Sequence, residues 1–316
     1  VHLNNEYMRA GKLNPESLFA IEDITEQVLA RLEDVKMKME TASWYLNQEA
    51  EPAGGCECIY LGRKKHCTTF KYSHSHVPEY SIHDLSRISK KKLEAFIECK
   101  IFDLFDIPDS MELTEKQKNQ LLVHKLQKPL IEVEKVRHEL SGLKFPLYFL
   151  DYESYAPAIP LFDGFGTYQQ IPFQFSLQIL RSEGGELEHV EFLHEESTNP
   201  CVPLIGTLRD AIGPTGTVIA WHKPFECMVN RQLAERHPEH AGFFEDVNAR
   251  MYDLKDIFQK QYYVHHGFRG SASIKKVLPT LLPNLRYDEL DIHEGGQASE
   301  AWWTMISPST APEVSK

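Results

Sequence analysis

Phe145 to Ser154 reads FPLYFLDYES, and this stretch decides the fold. Pro146 suits the first position of a strand. Leu147, Tyr148, Phe149 and Leu150 form the short continuous apolar run expected of a strand buried on both faces. Strand side chains alternate, so Asp151 and Glu153 at its end point the same way. Two carboxylates on one face of a buried strand end repel each other and lose hydration, so a cation is expected between or beside them. Hard oxygen ligands of this kind suit Mg²⁺ or Mn²⁺.

The sequence that follows fits an α/β sheet. Phe173, Phe175, Leu177 and Ile179 alternate with Gln174, Ser176 and Gln178, which predicts a half-buried antiparallel strand and a hairpin turning at Gly184-Gly185. Pro200 to Ile212 reads as a helix, Thr217 to Trp221 as a short buried strand, and Pro224 to Arg236 as another helix. That places Glu226 on the first turn of the second helix, just past a strand end. Asp253, in MYDL, stands at a strand-to-helix step, where it suits a metal ligand and a helix cap equally.

Upstream, Leu18, Ile21, Ile24, Val28, Leu32, Val35 and Met39 recur at helical spacing, predicting one long or two short helices over Glu16–Glu49 with a packing face. Pro52, Gly54 and Gly55 interrupt, and Cys56, Cys58 and Cys67 follow within twelve positions, then Phe70, Tyr72, His74 and His76. Three thiols so close suggest zinc or an iron–sulfur cluster, although one residue between Cys56 and Cys58 is not the usual zinc spacing. Lys64 and Lys65 add a small basic patch able to meet phosphate. Residues 77 to 145 read as a helical connector.

Composition narrows the classes. With 316 residues, 42% hydrophobic and 11% aromatic, the chain can bury a full core and is expected to hold two domains. Six sparse cysteines argue against a secreted disulfide scaffold and for a reducing, cytoplasmic setting, and no apolar run or leader points to a membrane. Of the net charge of −12, residues 146–316 carry −10, from 13 Lys/Arg against 23 Asp/Glu. Such a surface does not advertise a nucleic-acid binder unless cations mediate the contact. A first residue Val1 and an end at Lys316 read as a fragment at both ends.

The order of strand, D-x-E, hairpin, helix, strand and acidic helix resembles the ribonuclease H-like DEDD-type 3′-5′ exonucleases. WHKPFE, Trp221 to Glu226, resembles their second motif, with His222 where Asn is usual and Glu226 where Asp is usual. The chain as a whole is similar to a bacterial domain-of-unknown-function family in which such a domain follows a RecB-like, CRISPR-associated-type nuclease with a cysteine cluster. HLNNEYMRAG, the cysteines, FLDYES, IPFQFSLQIL, FE, MYDL and GSASIKKVLP carry that likeness.

The resemblance implies an α/β fold: a ribonuclease H-like mixed sheet flanked by helices over 145–316, after a nuclease tail with the cysteines over 1–80 and a connector over 81–144. It implies a two-metal nuclease acting on DNA or RNA, with Asp151 bridging two cations roughly 4 Å apart and Glu153 and Glu226 completing their shell, joined by Asp253. A fourth thiol belongs upstream, and a last carboxylate belongs on a late helix, where Glu300 is the one visible candidate. His222, His265, His266 and His293 are candidate bases, with none preferred. The alternatives are a catalytically silent nucleic-acid-binding or assembly module and a zinc-organised scaffold. Oligomeric state is not readable.

Overall fold

The computed structural model describes residues 1–50, 56–285, 291–292 and 294–307. The chain forms two compact units, one of residues 21–130 and 264–271, the other of 1–20, 131–263 and 272 onward. This is not the division expected at 80 and 144. The 81–144 stretch is no separate connector, because most of it builds the core of the first unit.

In that unit α1 (Leu32–Leu46), α2 (Lys90–Glu98) and α3 (Glu115–Leu126) are the main helices. Thr114 starts α3 with a reciprocal cap: its hydroxyl accepts from Gln117 N–H and the Gln117 amide oxygen accepts from Thr114 N–H. Ile82, Leu93, Phe96 and Leu104 are fully buried between these elements. The N-terminal helix pattern survives only in pieces. Leu18 is buried, but Val28, Leu32, Val35 and Met39 are exposed, and α1 buries no residue. Helical spacing makes such a helix amphipathic, yet burial needs a partner element, and none among the described residues covers this face.

The other unit holds a five-stranded mixed sheet. Its strands are β1 (Leu147–Tyr155), β2 (Ile171–Leu180), β3 (Leu187–Leu193), β4 (Thr217–Ala220) and β5 (Met251–Asp253), in the spatial order β3-β2-β1-β4-β5. β1, β2 and β3 pair antiparallel, while β1–β4 and β4–β5 are parallel. Alternation holds along β2, where Ile171, Phe173, Phe175, Leu177 and Ile179 are at most 1% exposed. Each such side chain contributes about 1.5–3 kcal/mol when fully buried. In β1 only Tyr148, Leu150 and Tyr152 are deeply buried; Leu147 and Phe149 are half-buried. The strand is therefore not buried on both faces along its length, and its odd-numbered face remains partly open at Asp151.

Helices α4 (Val133–Ser141), α5 (Cys201–Ala211), α6 (Pro224–Arg236), α7 (Ala241–Ala249), α8 (Ile274–Leu281) and α9 (Gly295–Ile306) complete the unit. Leu204, Ile205 and Leu208 of α5, Val229 and Leu233 of α6, Phe244 and Val247 of α7, and Trp302 and Ile306 of α9 join the sheet's core. Trp302 stacks on Phe173 with ring centres 4.6 Å apart, and its indole N–H donates to His194 O.

The His2–Gly11 segment also belongs here rather than with the cysteines. Arg9 donates to the carbonyls of Pro160 and Leu161, Arg9 N–H donates to Phe165 O, and Tyr7 is buried. Backbone bonding to the β1–β2 connection outweighs adjacency in sequence.

Gly216 sets the entry to β4. Its φ is +98°, and a Cβ there would lie 2.2 Å from Pro146 O, at the start of β1. Thr217 N–H donates to both Lys144 O and Pro146 O at this close approach. Gly216→Ala combines left-handed strain with a backbone clash, so it should cost about 2–4 kcal/mol. Urea denaturation would check this; an unchanged midpoint would contradict the close approach.

Candidate functional site

The acidic centre follows from the register of three adjacent strands. β4 pairs with β1 only across Leu147, Tyr148 and Phe149, so β1 runs on past the end of its neighbour, and Asp151 and Glu153 lie on that overhang. β4 stops at Ala220, three residues turn the chain, and Pro224 opens α6, a position where a missing N–H costs nothing. Glu226 on its first turn is thereby carried beside the overhang. Asp253 ends β5, opposite Ala220. All of these carboxylates stand at the C-terminal ends of parallel neighbours, where open α/β sheets form their binding crevices.

Glu226 is the most constrained of the four. It is 3% exposed, and its Oε2 is buried without a hydrogen-bond partner. Burial pushes its carboxyl up to about 7; its own backbone N–H opposes the shift, and the charges of Asp151 and Asp253 add to it. Burial likewise raises Asp151. Burial raises Glu153, with Asp151 adding and Lys275 of α8 opposing. These charges sense one another, but no three of them bring oxygens within 4.8 Å of each other, as the cysteine thiols do. Mutual repulsion keeps like charges apart. A buried, unpaired carboxylate oxygen amid further carboxylates fits a hard divalent ion.

Asp253 has a structural duty besides. Its Oδ1 accepts from His222 N–H at 3.0 Å and from Lys255 N–H at 3.1 Å, tying the turn after β4 to the turn after β5. Of the candidate bases, only His222 lies here; His265 and His266 belong to the other unit, and His293 lies outside the described residues. The start of α9 faces the acidic strand with Gly295 near Glu153 and Ser299, whose hydroxyl donates to Ser154 O. Glu300, further along α9, is exposed. The sequence reading missed Lys255 and Lys275. Lys255 directly follows MYDL and Lys275 lies within GSASIKKVLP, so each cation is adjacent to or part of a segment that carries the family likeness.

Residues 148–273 match a domain of unknown function, DUF2779. The DUF2779 span contains Asp151, Glu153, Glu226 and Asp253, and excludes all three clustered cysteines. No curated protein and no solved structure matches the chain.

In the other unit Cys56, Cys58 and Cys67 bring their thiols within 4.8 Å of one another, with Cys56 and Cys67 at 3.4 Å. They are close enough to bind a metal such as zinc, whose thiolate ligands stand about 2.3 Å from the ion. The surrounding histidines are posts for this loop. His74 Nε2 meets Cys56 O at 2.7 Å, His83 Nε2 meets Ile59 O at 2.7 Å, and His66 Nε2 meets Leu61 O at 2.9 Å. A carbonyl only accepts, so each Nε2 carries its proton and is not free to ligate. Hydrogen bonds from Thr69, Cys56 and Cys58 pull the Cys67 thiol down to about 7, while burial pushes Cys56 up to about 11. Lys64 and Lys65 stand exposed on a short 3₁₀ turn, and the adjacent Arg63 is held by Asp84.

Zinc analysis of the purified chain should find one ion. Cys67→Ala should lower its affinity by more than the roughly 10–100-fold expected when a supporting contact such as His74 is removed. Equal zinc content in wild type and Cys67→Ala would contradict the thiol site. No helix among the described residues is long and apolar enough to cross a membrane.

Proposed function

We propose that this chain carries a metal-dependent nuclease of ribonuclease H-like fold, hydrolysing phosphodiesters of DNA or RNA from a 3′ end. The observation that carries the reading is Glu226: a carboxylate whose Oε2 is buried and unpaired, beside Asp151 and Asp253, at the C-terminal ends of parallel strands. Leaving a buried charged oxygen unpaired costs several kcal/mol unless something binds it. The sheet supports the same reading, since strand, hairpin, helix, strand and acidic helix follow in the order the resemblance calls for.

Asp151, Glu153 and Glu226 would hold Mg²⁺ or Mn²⁺, which supply charge neutralisation of the phosphate and a more acidic water. The chain's own part is to fix these carboxylates. Asn230, on the same helix as Glu226, accepts from the Tyr152 hydroxyl at 2.9 Å and so pins α6 to β1. Asp253 holds the two adjoining turns, and Lys275 sets positive charge beside Glu153. The thiol cluster would hold a zinc-like ion or an iron–sulfur cluster. Thiols within 4.8 Å favour one ion over a 4Fe–4S cluster, in which each thiolate sits on its own iron and the thiols spread more widely.

A second reading, a silent nucleic-acid-binding module, is favoured by one observation: among the described residues no three of these carboxylates bring their oxygens within 4.8 Å of one another. A 5′-labelled single strand of DNA or RNA separates the two. Metal-dependent shortening, lost in Asp151→Asn, supports the nuclease; metal binding and strand binding without shortening support the silent module.

A further inference from the structure

His222 has an uncommon backbone conformation for a residue with a side chain, with φ at +84°. Such strain persists where the surroundings hold it, and here Asp253 Oδ1 grips the His222 N–H. The side chain is exposed, and its Nδ1 lies 3.2 Å from Lys255 Nζ. An ammonium can only donate, so Nδ1 accepts and the ring proton sits on Nε2. The Lys255 backbone N–H is bound to the same Asp253 oxygen, which fixes both halves of the pair to one carboxylate of the acidic centre. Lys223, between His222 and α6, is engaged elsewhere, donating to Met251 O. The histidine and the lysine thus present an N–H and a positive charge at the rim of the carboxylate centre, on the Asp253 side, while Lys275 stands beside Glu153.

We propose that His222 Nε2–H and Lys255 Nζ form a phosphate-binding pair that donates to the non-bridging oxygens of the substrate phosphate. This deepens the proposed function and rests on it. A carboxylate centre repels a phosphate even when cations bridge the two, and donors at its rim fix which oxygens face the metal side. A plain turn residue would explain the positive φ but not the lysine that sets the ring's tautomer.

The test is titration calorimetry on the whole chain with Mn²⁺, then with thymidine 5′-monophosphate or thymidine in saturating Mn²⁺. His222→Gly keeps the turn, because glycine takes positive φ freely, and removes the donor. It should retain Mn²⁺ affinity and the melting temperature within about 2–4 °C, and weaken the monophosphate about 10-fold or more. Lys255→Met should weaken it comparably, and the double variant by less than the product of the two. His222→Asn, which tolerates the backbone and restores an N–H, should recover part of the loss. Thymidine should not distinguish the variants. Unchanged monophosphate affinity in His222→Gly and Lys255→Met, with Mn²⁺ still bound, overturns the pair alone. A wild type that binds Mn²⁺ but no monophosphate also overturns it. A wild type that binds no Mn²⁺ overturns the proposed function and the pair with it.

Discussion

Without metal, this protein should lose stability as pH rises from about 4.5 through about 7, and Glu226→Gln should remove most of that loss. The unfolded Glu226 carboxyl titrates at its ordinary 4.5, and burial lifts it to about 7 in the fold. Between those values the folded state holds a proton that the unfolded state has released, so stability falls with pH across the window and is level above it. The size is about 3 kcal/mol, from about 1.4 kcal/mol per pH unit. For a unit of this size that is about 6–12 °C in melting temperature. Asp151 and Glu153 are raised too, so they deepen the fall in the same direction.

His83 works against it. Burial lowers its pKa to about 4, so the fold gains stability between about 4 and the ordinary 6.5 as the imidazole in the unfolded chain loses its proton. The difference between wild type and Glu226→Gln, melted under the same conditions, cancels that contribution. Mn²⁺ at 100 times its dissociation constant should restore about 2.7 kcal/mol at pH 8 in the wild type and much less in the variant. Parallel pH profiles for wild type and variant, with or without Mn²⁺, would remove Glu226 from the metal centre.

The second large effect concerns activity. Asp151→Asn should lower kcat/KM on a labelled single strand by about 10³-fold or more, the scale of losing about 4 kcal/mol of charge stabilisation in the transition state. Glu153→Gln and Glu226→Gln should fall similarly, because each removes a charge from the same centre. Asp253→Asn should differ. Its Oδ1 already accepts two backbone N–H groups, and an amide oxygen can do the same, so the turns survive and the activity loss should be smaller. Equal losses at all four positions would make Asp253 a full ligand; full activity in Asp151→Asn would remove the nuclease assignment from this centre.

Much of the sheet was legible in the chain itself. Alternation over Phe173 to Ile179, the glycine pair at 184 and 185, and the bounds of α6 from Pro224 to Arg236 all follow from local periods and breakers, which act over a few residues and need no distant partner. Asp151 and Glu153 could likewise be placed on one strand face from spacing alone. The α1 region shows the limit of such reading: its apolar spacing forecast a helix correctly and a packing face wrongly, since burial depends on what lies opposite.

The tertiary structure decided the rest. That Glu226 is buried and unpaired depends on β4 stopping short beside β1, a register set between segments some 70 residues apart. That His2–Gly11 docks on the sheet's unit, that His74 and His83 grip the carbonyls of Cys56 and Ile59, and that Lys255 sets the tautomer of His222 are likewise contacts between segments apart in the chain. Local sequence determines the period and ends of each element, whereas desolvation and charge proximity are properties of the assembled surroundings. The residue types of the site were therefore written in the chain, and their chemistry was set only when packing took water away from them.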